Sequence, residues 1–212
     1  NILYDDSGNG NHGTINGATW VENIYGCTDE LADNYNPDAD FDDDSCEYPD
    51  NGDYSLSFDG VDDKVSIYGL GSLGSFSAEA WFEAASSNGY QRILDYDGGN
   101  GSDYWNLYLT SSGNIGIDLR NGDSETLHLL STESYNDGEW HHVVYIRDEE
   151  NNSIYVDRIL VAESTQPYFV INHNAPFTIG HTDYDGYPSS QFFYGQIKKV
   201  VVWSIPLSTE QI

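Results

Sequence analysis

Basic residues are scarce in this chain. Only 7 of its 212 residues are Lys or Arg, against 36 Asp or Glu, which gives a formal net charge of -29 at pH 7. Nucleic-acid binding needs Lys and Arg against the phosphates, and anionic membrane surfaces attract basic segments. The charge therefore argues against nucleic acid and lipid surfaces as partners and favours cations.

Long apolar runs are also missing, so the sequence predicts no membrane-spanning segment. No signal-like leader precedes Asn1, and we expect a mature domain that belongs to a larger multidomain chain. Aromatic residues make up 14% of the chain, including 17 Tyr and 5 Trp. Acidic disordered segments characteristically contain few aromatics, so we expect this chain to fold.

Cysteine is limited to Cys27 and Cys46, and Met does not occur. The two cysteines enclose an acidic stretch, which indicates a disulfide formed outside the cytosol. Closing such a loop stabilises a fold by about 3 kcal/mol in the chain-entropy model. The alternative is a pair of free buried thiols, for which the neighbouring sequences "TDE" and "DDDS" offer little apolar surface.

The enclosed stretch, "GCTDELADNYNPDADFDDDSCEY" at 26–48, contains no basic residue. Oxygen-bearing side chains recur there at every second position, so an extended segment would present them on one side. Calcium takes about six to eight oxygen ligands in flexible geometry, whereas zinc prefers His or Cys thiolate. We predict a Ca²⁺ site formed by Asn34, Asn36, Asp38, Asp40 and Asp42, with Asp29 and Asp43 as further candidates.

An EF-hand and a solvated acidic loop are the two alternatives to this calcium site. The EF-hand signature is absent, because Asp43 stands where that loop needs Gly. A solvated acidic loop, of the kind that keeps proteins soluble in high salt, would bind nothing specific. Against it, eight acidic residues between the two cysteines would repel one another unless a cation neutralised them.

A second, weaker calcium candidate is Asp5 in "DDSGNGNHG", whose residues are equally typical of a tight turn. The histidines of "WHHV", His141 and His142, lie in a predicted strand, where adjacent side chains point to opposite faces. We therefore expect them to be structural and not metal ligands or catalytic groups.

Most of the chain reads as short strands. Alternating or Val-, Ile-, Tyr- and Trp-rich stretches, separated by Gly, Asn, Asp or Ser, predict an all-β sandwich, barrel or jelly roll. No segment has a convincing helical period. The predicted strands are "YSLSFDG", "KVSIYGL", "SFSAEAWFEA", "WNLYLTS", "NIGIDLR", "HHVVYIRD", "SIYVDRILVAES", "FTIGHT" and "QIKKVVVWS". Trp81, Trp140 and Trp203 fall in these strands, and we expect them in the core.

Several signatures occur in an order that resembles laminin-G-like, concanavalin-A-like jelly-roll domains of secreted proteins. They are "DDSGNGNHGTINGATW", "LSFDGVDDKVSI", "GEWHHVVYIRD", "SIYVDRILVAES", "FTIGH" and "FYGQIKKVVVWSIPLSTEQI". The resemblance implies two curved antiparallel sheets that serve carbohydrate or protein recognition. Two positions depart from it: Lys198 and Lys199 replace a common acidic residue, and Arg158 replaces the usual hairpin Gly.

The acidic stretch then becomes an insertion in this domain. Residues 24–52 resemble a cysteine-bounded acidic unit of extracellular proteins, comparable to thrombospondin type 3 calcium repeats, in which Glu30 replaces a usual Pro and Asp44 a usual Gly. We therefore predict a jelly roll from residues 1–23 and 53–212, with residues 24–52 as a disulfide-closed calcium-binding loop.

Ligand recognition is expected in loops that a rigid sandwich displays. Residues 94–106 and 181–194 combine Asp, Gly, Asn and aromatic side chains, which suits a sugar site, because carboxylates and amides bind hydroxyls and aromatic rings stack on sugars. The candidates are Asp95, Asp97, Asn100, Asp103, Trp105, Tyr184, Asp185 and Tyr187. Trp105, at the start of a strand, is equally compatible with a core position.

Catalysis is not expected. Retaining glycosidases need two carboxylates about 5 Å apart, and in "AEAWFEA" Trp81 separates Glu79 from Glu83. The sequence thus predicts a secreted or cell-surface, calcium-dependent lectin-like module for carbohydrate binding or adhesion. The alternatives are a calcium-stabilised spacer or protein-adhesion domain that binds no sugar, and a polysaccharide-cleaving jelly roll.

Overall fold

A computed structural model describes residues 2–48, 52–84, 89–98, 103–122, 125–165, 169–172, 174–181 and 191–212. Within these ranges the chain forms β-strands and no α-helix, so no helix there is long and apolar enough to cross a membrane. The strands are β1 Ile2–Leu3, β2 Gly13–Thr14, β3 Leu56–Asp59, β4 Val65–Ile67, β5 Phe76–Ala84, β6 Gln91–Asp97, β7 Tyr104–Leu109, β8 Asn114–Asn121, β9 Glu125–Ser134, β10 Trp140–Arg147, β11 Asn152–Val156, β12 Ile159–Ser164, β13 Phe177–Ile179 and β14 Tyr194–Trp203.

Two antiparallel sheets of six strands form a sandwich, which confirms the predicted all-β class. The first sheet has the order β12-β11-β10-β5-β14-β3, and the second has the order β4-β13-β6-β7-β8-β9. Neighbours in both sheets include strands distant in sequence, such as β5 beside β14. Such crossovers are typical of a jelly roll.

The core lies between the inner faces of these sheets. Strand β5 points its small and aromatic side chains inward at every second position, and its alternate residues point outward. Its inward residues are Phe76, Ala78, Ala80, Phe82 and Ala84, which face Trp105, Leu107, Leu109, Ile115, Ile117 and Leu119 of the second sheet. Each large side chain buried here contributes about 1.5–3 kcal/mol relative to an exposed one.

The chain divides into two compact units, residues 1–53 and 54–212. The second unit contains the sandwich. The first contains the β1-β2 ribbon and a disulfide between Cys27 and Cys46, which confirms the predicted pairing. Among the described residues of this first unit, only Cys27 and Ala32 are buried. A unit with so little core depends on its disulfide. The assignment of residues 1–23 to the sandwich stays a prediction.

Three tryptophans expected in the core lie elsewhere. Trp81, Trp140 and Trp203 all belong to the outward rows of the first sheet, and Trp203 is 40% exposed. The sequence placed each of them in a strand correctly but assigned the wrong face to it. On the same three strands, the side chains of Ala80, Val143 and Val202 point the opposite way and contact the core.

Candidate functional site

Polar side chains cover the outward face of the second sheet. On β7, Trp105, Leu107 and Leu109 point into the core, so Tyr104, Asn106 and Tyr108 point outward. Residues directly opposite each other in an antiparallel pair share a face. We call this surface the polar face; its members are Ser66, Arg92, Asp95, Asp97, Tyr104, Asn106, Tyr108, Asp118, Arg120, His128 and Thr178.

One row of the polar face crosses all six strands. Its members, in order from β4 to β9, are Ser66, Thr178, Asp95, Asn106, Asp118 and His128. Every one of them carries a hydrogen-bonding side chain. The centre of the row is buried, since Thr178, Asp95 and Asn106 are at most 1% exposed. His128, at its β9 end, is open to solvent.

A buried ion pair fixes one side of this face. Arg92 Nη1 lies 3.2 Å from Asp95 Oδ1, and Arg92 Nε donates to Gln191 Oε1 at 3.0 Å. The guanidinium also lies over the Tyr108 ring, 5.9 Å from its centroid. Buried charges are tolerated only when paired and hydrogen-bonded in this way.

A second cluster joins the neighbouring strands. The hydroxyl of Tyr108 donates to Asp118 Oδ1 at 2.9 Å, and His128 Nδ1 lies 2.7 Å from the same oxygen. Burial, together with the Asp118 charge, raises the pKa of Tyr108, so its hydroxyl stays protonated and donates. Both contacts use Oδ1, and Asp118 Oδ2 has no partner among the described residues.

Asn106 lies between these two clusters and is the unusual member of the row. Its side chain is fully buried, yet neither Oδ1 nor Nδ2 has a partner among the described residues. Leaving a buried polar group unpaired costs about 1–3 kcal/mol, so such groups are nearly always bonded to protein, water or a ligand. The sheet therefore holds a donor and an acceptor that are not used within the described fold.

The ligand residues predicted from the sequence fall into four groups. Asp95 and Asp97 lie on the polar face and are at most 8% exposed. Asp103 lies just before β7, where its carboxylate accepts hydrogen bonds from the backbone amides of Gly122 and Asn172. Trp105 packs in the core, with no exposed surface, against Phe76. Asn100, Tyr184, Asp185 and Tyr187 lie outside the described residues.

Sequence reasoning missed most of the polar face. The predicted ligand residues do not include Arg92, Asn106, Tyr108, Asp118 or His128, because the prediction placed ligand recognition in loops and not on strand faces. The alternation in "YWNLYL" and "NIGIDLR" is the signal that could have found them, since it separates an apolar face from a polar one.

The acidic loop between the cysteines does not form the extended segment that the sequence predicts. Residues 30–34 and 37–38 are turns and bends, so the oxygens do not lie in one strand-like row. Asp44, which stands in place of the Gly expected from the resemblance, has a positive φ of 60°. Such a backbone conformation is uncommon outside Gly, Asn and Asp.

Most of the predicted calcium ligands in this loop accept backbone hydrogen bonds. Asp42 Oδ2 accepts from the Thr28 amide at 3.1 Å and from its hydroxyl at 2.8 Å, and Asp42 Oδ1 accepts from the Asp44 amide. Similar bonds reach Asp29 Oδ1 from Leu31, Asn34 Oδ1 from Glu47, Asn36 Oδ1 from Asp38, Asp40 Oδ2 from Ile24 and Asp43 Oδ1 from Ser45. Asp38 is exposed. Calcium binding by these residues stays a prediction.

Hydrogen bonds also explain the titration of these carboxylates. The Thr28 amide, followed by that of Asp44, lowers the pKa of Asp42, and the Leu31 amide with the Tyr48 hydroxyl lowers that of Asp29. In the N-terminal turn, Asp5 accepts from the amides of Ser7 and Asn11, and hydrogen bonding led by the Ser7 side chain lowers its pKa. These carboxylates remain ionised at neutral pH.

Two clusters in the described residues bring three potential ligand atoms within 4.8 Å of one another. The first is Asp42 with Cys27 and Cys46, whose sulfurs are joined in the disulfide and are not thiolates. The second is Asp59, Asp62 and Asp63 in the turn after β3, which sequence reasoning did not single out. Asp59 Oδ1 accepts from the Val61 amide, and Asp63 Oδ2 accepts from the Asp59 amide.

The two strand histidines contact carboxylates and aromatic rings. His141 lies between Asp157, 2.8 Å from Nδ1, and Asp137, 3.2 Å from Nε2. His142 stacks on Trp81 with ring centroids 4.9 Å apart, and its Nε2 lies 3.2 Å from Glu79. His141 is thus held by carboxylates of the β9–β10 and β11–β12 connections, and His142 by Glu79 on the outward row of β5.

Comparisons with known proteins agree with this architecture. A family model described as the concanavalin A-like lectin/glucanases superfamily matches residues 53–212. No curated protein matches the chain in sequence.

Solved structures with the same fold come from distant proteins. The CBM40 module of the Ruminococcus gnavus IT-sialidase is 21% identical, with a TM-score of 0.59, covering 74% of this chain and 92% of that one. Domain 4 of the extracellular arabinanase AbnA from Geobacillus stearothermophilus, in complex with arabinotriose, is 18% identical, with a TM-score of 0.60, covering 74% and 73%. A Limulus polyphemus SAP-like pentraxin is 16% identical, with a TM-score of 0.58, covering 74% and 78%. At these identities the likeness shows the fold alone.

Proposed function

The chain belongs to the concanavalin A-like lectin/glucanases superfamily through residues 53–212, and from this premise we propose that it is a carbohydrate-recognition module with the polar face as its binding surface. The buried amide of Asn106, which has no partner among the described residues, carries the proposal. An amide that both donates and accepts, beside carboxylates, matches the hydroxyl groups of a sugar. Two similar structures, the arabinanase domain and the CBM40 module, are described with bound oligosaccharides.

The surroundings of Asn106 suit this role. Asp95 and Asp118 lie opposite it on the two neighbouring strands and can accept hydrogen bonds from hydroxyls. Tyr104 and Tyr108 lie on the same strand and face, and tyrosine rings offer an apolar surface with a polar tip to a sugar ring. The rigid sheet holds these groups in a fixed arrangement, which favours specific binding.

The test is binding to a glycan array by the wild type and by Asn106→Leu. Leucine has a similar size but no polar atoms, so we expect binding to fall at least about tenfold while the free energy of unfolding is kept or raised. Tyr155→Phe, on the outward side of the first sheet, is the matched control and should bind normally. An array without ligands, or Asn106→Leu binding like the wild type, would overturn the proposal.

We further propose that calcium orders the acidic loop of residues 24–52 and that the protein's recognition depends on it. Eight carboxylates and no basic residue lie between Cys27 and Cys46, where repulsion opposes a compact loop. All the candidate ligand atoms are oxygens, which is the ligand type that Ca²⁺ prefers. A carboxylate that accepts a hydrogen bond from a backbone amide keeps further lone pairs for a metal. The ligands would come from Asp29, Asn34, Asn36, Asp38, Asp40, Asp42 and Asp43, with Asp5 as a separate candidate.

A thermal melt with Ca²⁺, Mg²⁺ or EDTA tests the metal proposal without any sugar. We expect Ca²⁺ to raise the melting temperature of the first unit more than Mg²⁺ does, and Asp42→Asn to reduce that rise. Unchanged melting after chelation would contradict calcium binding. Repeating the array in EDTA then tests whether recognition depends on the metal.

We place the module outside the cell or on its surface, in a larger multidomain chain. The support is the disulfide, which persists in oxidising compartments. Thiol labelling of protein from fractionated cells tests this, since free Cys27 and Cys46 in a cytosolic fraction would contradict it.

A second candidate function is a spacer or a domain that adheres to an extracellular protein. The first unit exposes large apolar side chains, including Trp20 at 72%, Val21 at 80% and Leu31 at 81%, and exposed apolar patches commonly mark protein contacts. Calcium-dependent melting with no glycan bound would favour this candidate. We propose that the protein is not an enzyme in either of these roles. Release of reducing sugar from a polysaccharide panel would contradict that.

A further inference from the structure

Acidic and basic side chains are unequal in number on the polar face. Asp95 and Asp118 flank Asn106 in register on both sides, and Asp97 lies nearby on β6. Only Arg92 and Arg120, of the seven basic residues in the chain, lie on strands of this face. Arg92 is already committed to Asp95 and Gln191. Among the described residues, three carboxylates and two guanidinium groups therefore lie on this face around the Asn106 amide, and the Asp95 carboxylate is already paired.

The remaining basic residues lie outside the strands of this face. Arg147 is buried beside Phe169, Arg158 lies in the β11-β12 turn, and Lys198 and Lys199 belong to β14 of the other sheet. Lys64 precedes β4.

We propose that the polar face selects uncharged, hydroxyl-rich sugars and rejects sugars that carry carboxylate or sulfate, and that Asp118 is a specificity-determining residue. This inference rests on the proposed function. A hydroxyl donates a hydrogen bond to Asp118 Oδ2, which has no partner among the described residues, whereas an anionic group at Asn106 lies beside the Asp118 carboxylate and is repelled. Repulsion of the wrong ligand is a common source of specificity.

The experiment uses matched neutral and anionic polysaccharides. Three neutral polymers, a β-glucan, a mannan and a galactan, are compared with the same polymers after oxidation of the C6 hydroxymethyl groups to carboxylates. Affinity electrophoresis at low salt measures retardation of the full chain by each. We expect the neutral form of any bound polymer to bind at least about tenfold more tightly, with the ratio shrinking in salt because the repulsion is screened.

Asp118→Asn tests the assigned residue. Asparagine keeps an acceptor for Tyr108 but removes the charge, so we expect the neutral-to-oxidised ratio to fall severalfold while neutral binding persists. Glu163→Gln, on β12 of the first sheet, removes the same charge from the whole protein and should leave the ratio unchanged.

The outcomes separate the two proposals. Oxidised polymers that bind as tightly as neutral ones, or a ratio that Asp118→Asn leaves unchanged, overturn the selectivity while sugar binding stands. Binding to none of the six polymers, together with an empty glycan array, overturns the proposed function and the selectivity with it.

Discussion

Arg92 and Asp95 form an ion pair within β6, with side chains only 8% and 1% exposed and a distance of 3.2 Å from Nη1 to Oδ1. The two residues lie three positions apart in the strand, and β6 has an irregular register with β7 between Arg92 and Leu94. Such a bulge brings onto one face two side chains whose spacing would otherwise put them on opposite faces. The ion pair and the polar face thus depend on the same local irregularity.

We expect Asp95→Ala to lower the free energy of unfolding by about 3–5 kcal/mol, because it leaves the guanidinium buried without its carboxylate. Urea denaturation followed by tryptophan fluorescence measures the change. Glu163→Gln, at an exposed position, should change stability by no more than about 0.5 kcal/mol. A cost for Asp95→Ala as small as that of this control would mean that the pair contributes little.

The same bulged strand shows where sequence reasoning fails. "SFSAEAWFEA" predicts β5 correctly, because small and aromatic residues alternate with polar ones. "QRILDYD" shows no such alternation, because both faces of β6 are buried. The sequence therefore predicted a loop over residues 94–106, where β6 ends and β7 begins. Strand β9 was missed as well. A two-residue period identifies a strand only where one face meets water.

The side of the sheet to which a side chain points is harder to predict than the strand itself. Trp81 was expected inside because tryptophan is usually buried, but the Ala residues beside it point inward and Trp81 points outward. The disulfide was predictable, because the two cysteines are the only ones in the sequence and enclose the acidic stretch. The strand register that puts Asn106 opposite Asp95 and Asp118 was not predictable, because register between strands depends on the whole sheet.

The acidic loop should loosen in acid. The pKa of Asp42 is lowered from 3.8 in the folded protein, so its hydrogen bonds stabilise the loop above that pH and are lost as the pH falls through the lower folded value. We expect the amide proton of Thr28, followed by NMR, to shift with a midpoint below pH 3.8. Asp42→Asn should abolish that transition. A midpoint at or above 3.8 would contradict the assigned hydrogen bonds.

The hairpin between β11 and β12 carries avoidable strain. Asp157 and Arg158 both have positive φ, at 51° and 69°, which Gly adopts far more readily than Arg does. We expect Arg158→Gly to stabilise the chain by about 0.5–1 kcal/mol, the relief of the left-handed backbone less the entropy of Gly. Asp157 must be kept, because its carboxylate accepts from the His142 amide.

Arg158→Ala is the control for this prediction. It removes the guanidinium but leaves a Cβ in the left-handed conformation, so it should not stabilise the chain. Equal gains in melting temperature from the Ala and Gly variants would show that the side chain, and not the backbone, is the source of the strain.

Gly116 keeps space for the Tyr108 ring on the polar face. A Cβ at this position would lie 2.6 Å from Tyr108 Cζ and 2.7 Å from Leu130 Cδ2. Leu130 is 48% exposed and can rotate away, but Tyr108 is 5% exposed and bonded to Asp118. We expect Gly116→Ala to cost about 1–3 kcal/mol of stability, as overpacking typically does, and to weaken sugar binding by displacing the hydroxyl from Asp118.

A double-mutant cycle identifies the obstructing side chain. If the Tyr108 ring is the obstacle, Gly116→Ala costs less in a Tyr108→Ala background than in the wild type, whereas a Leu130→Ala background changes its cost little. Urea denaturation of the six proteins measures both couplings. An equal cost in the wild-type and Tyr108→Ala backgrounds would mean that the ring moves freely, and then the Tyr108 hydroxyl could not hold Asp118 in the fixed orientation that selective sugar binding on this face requires.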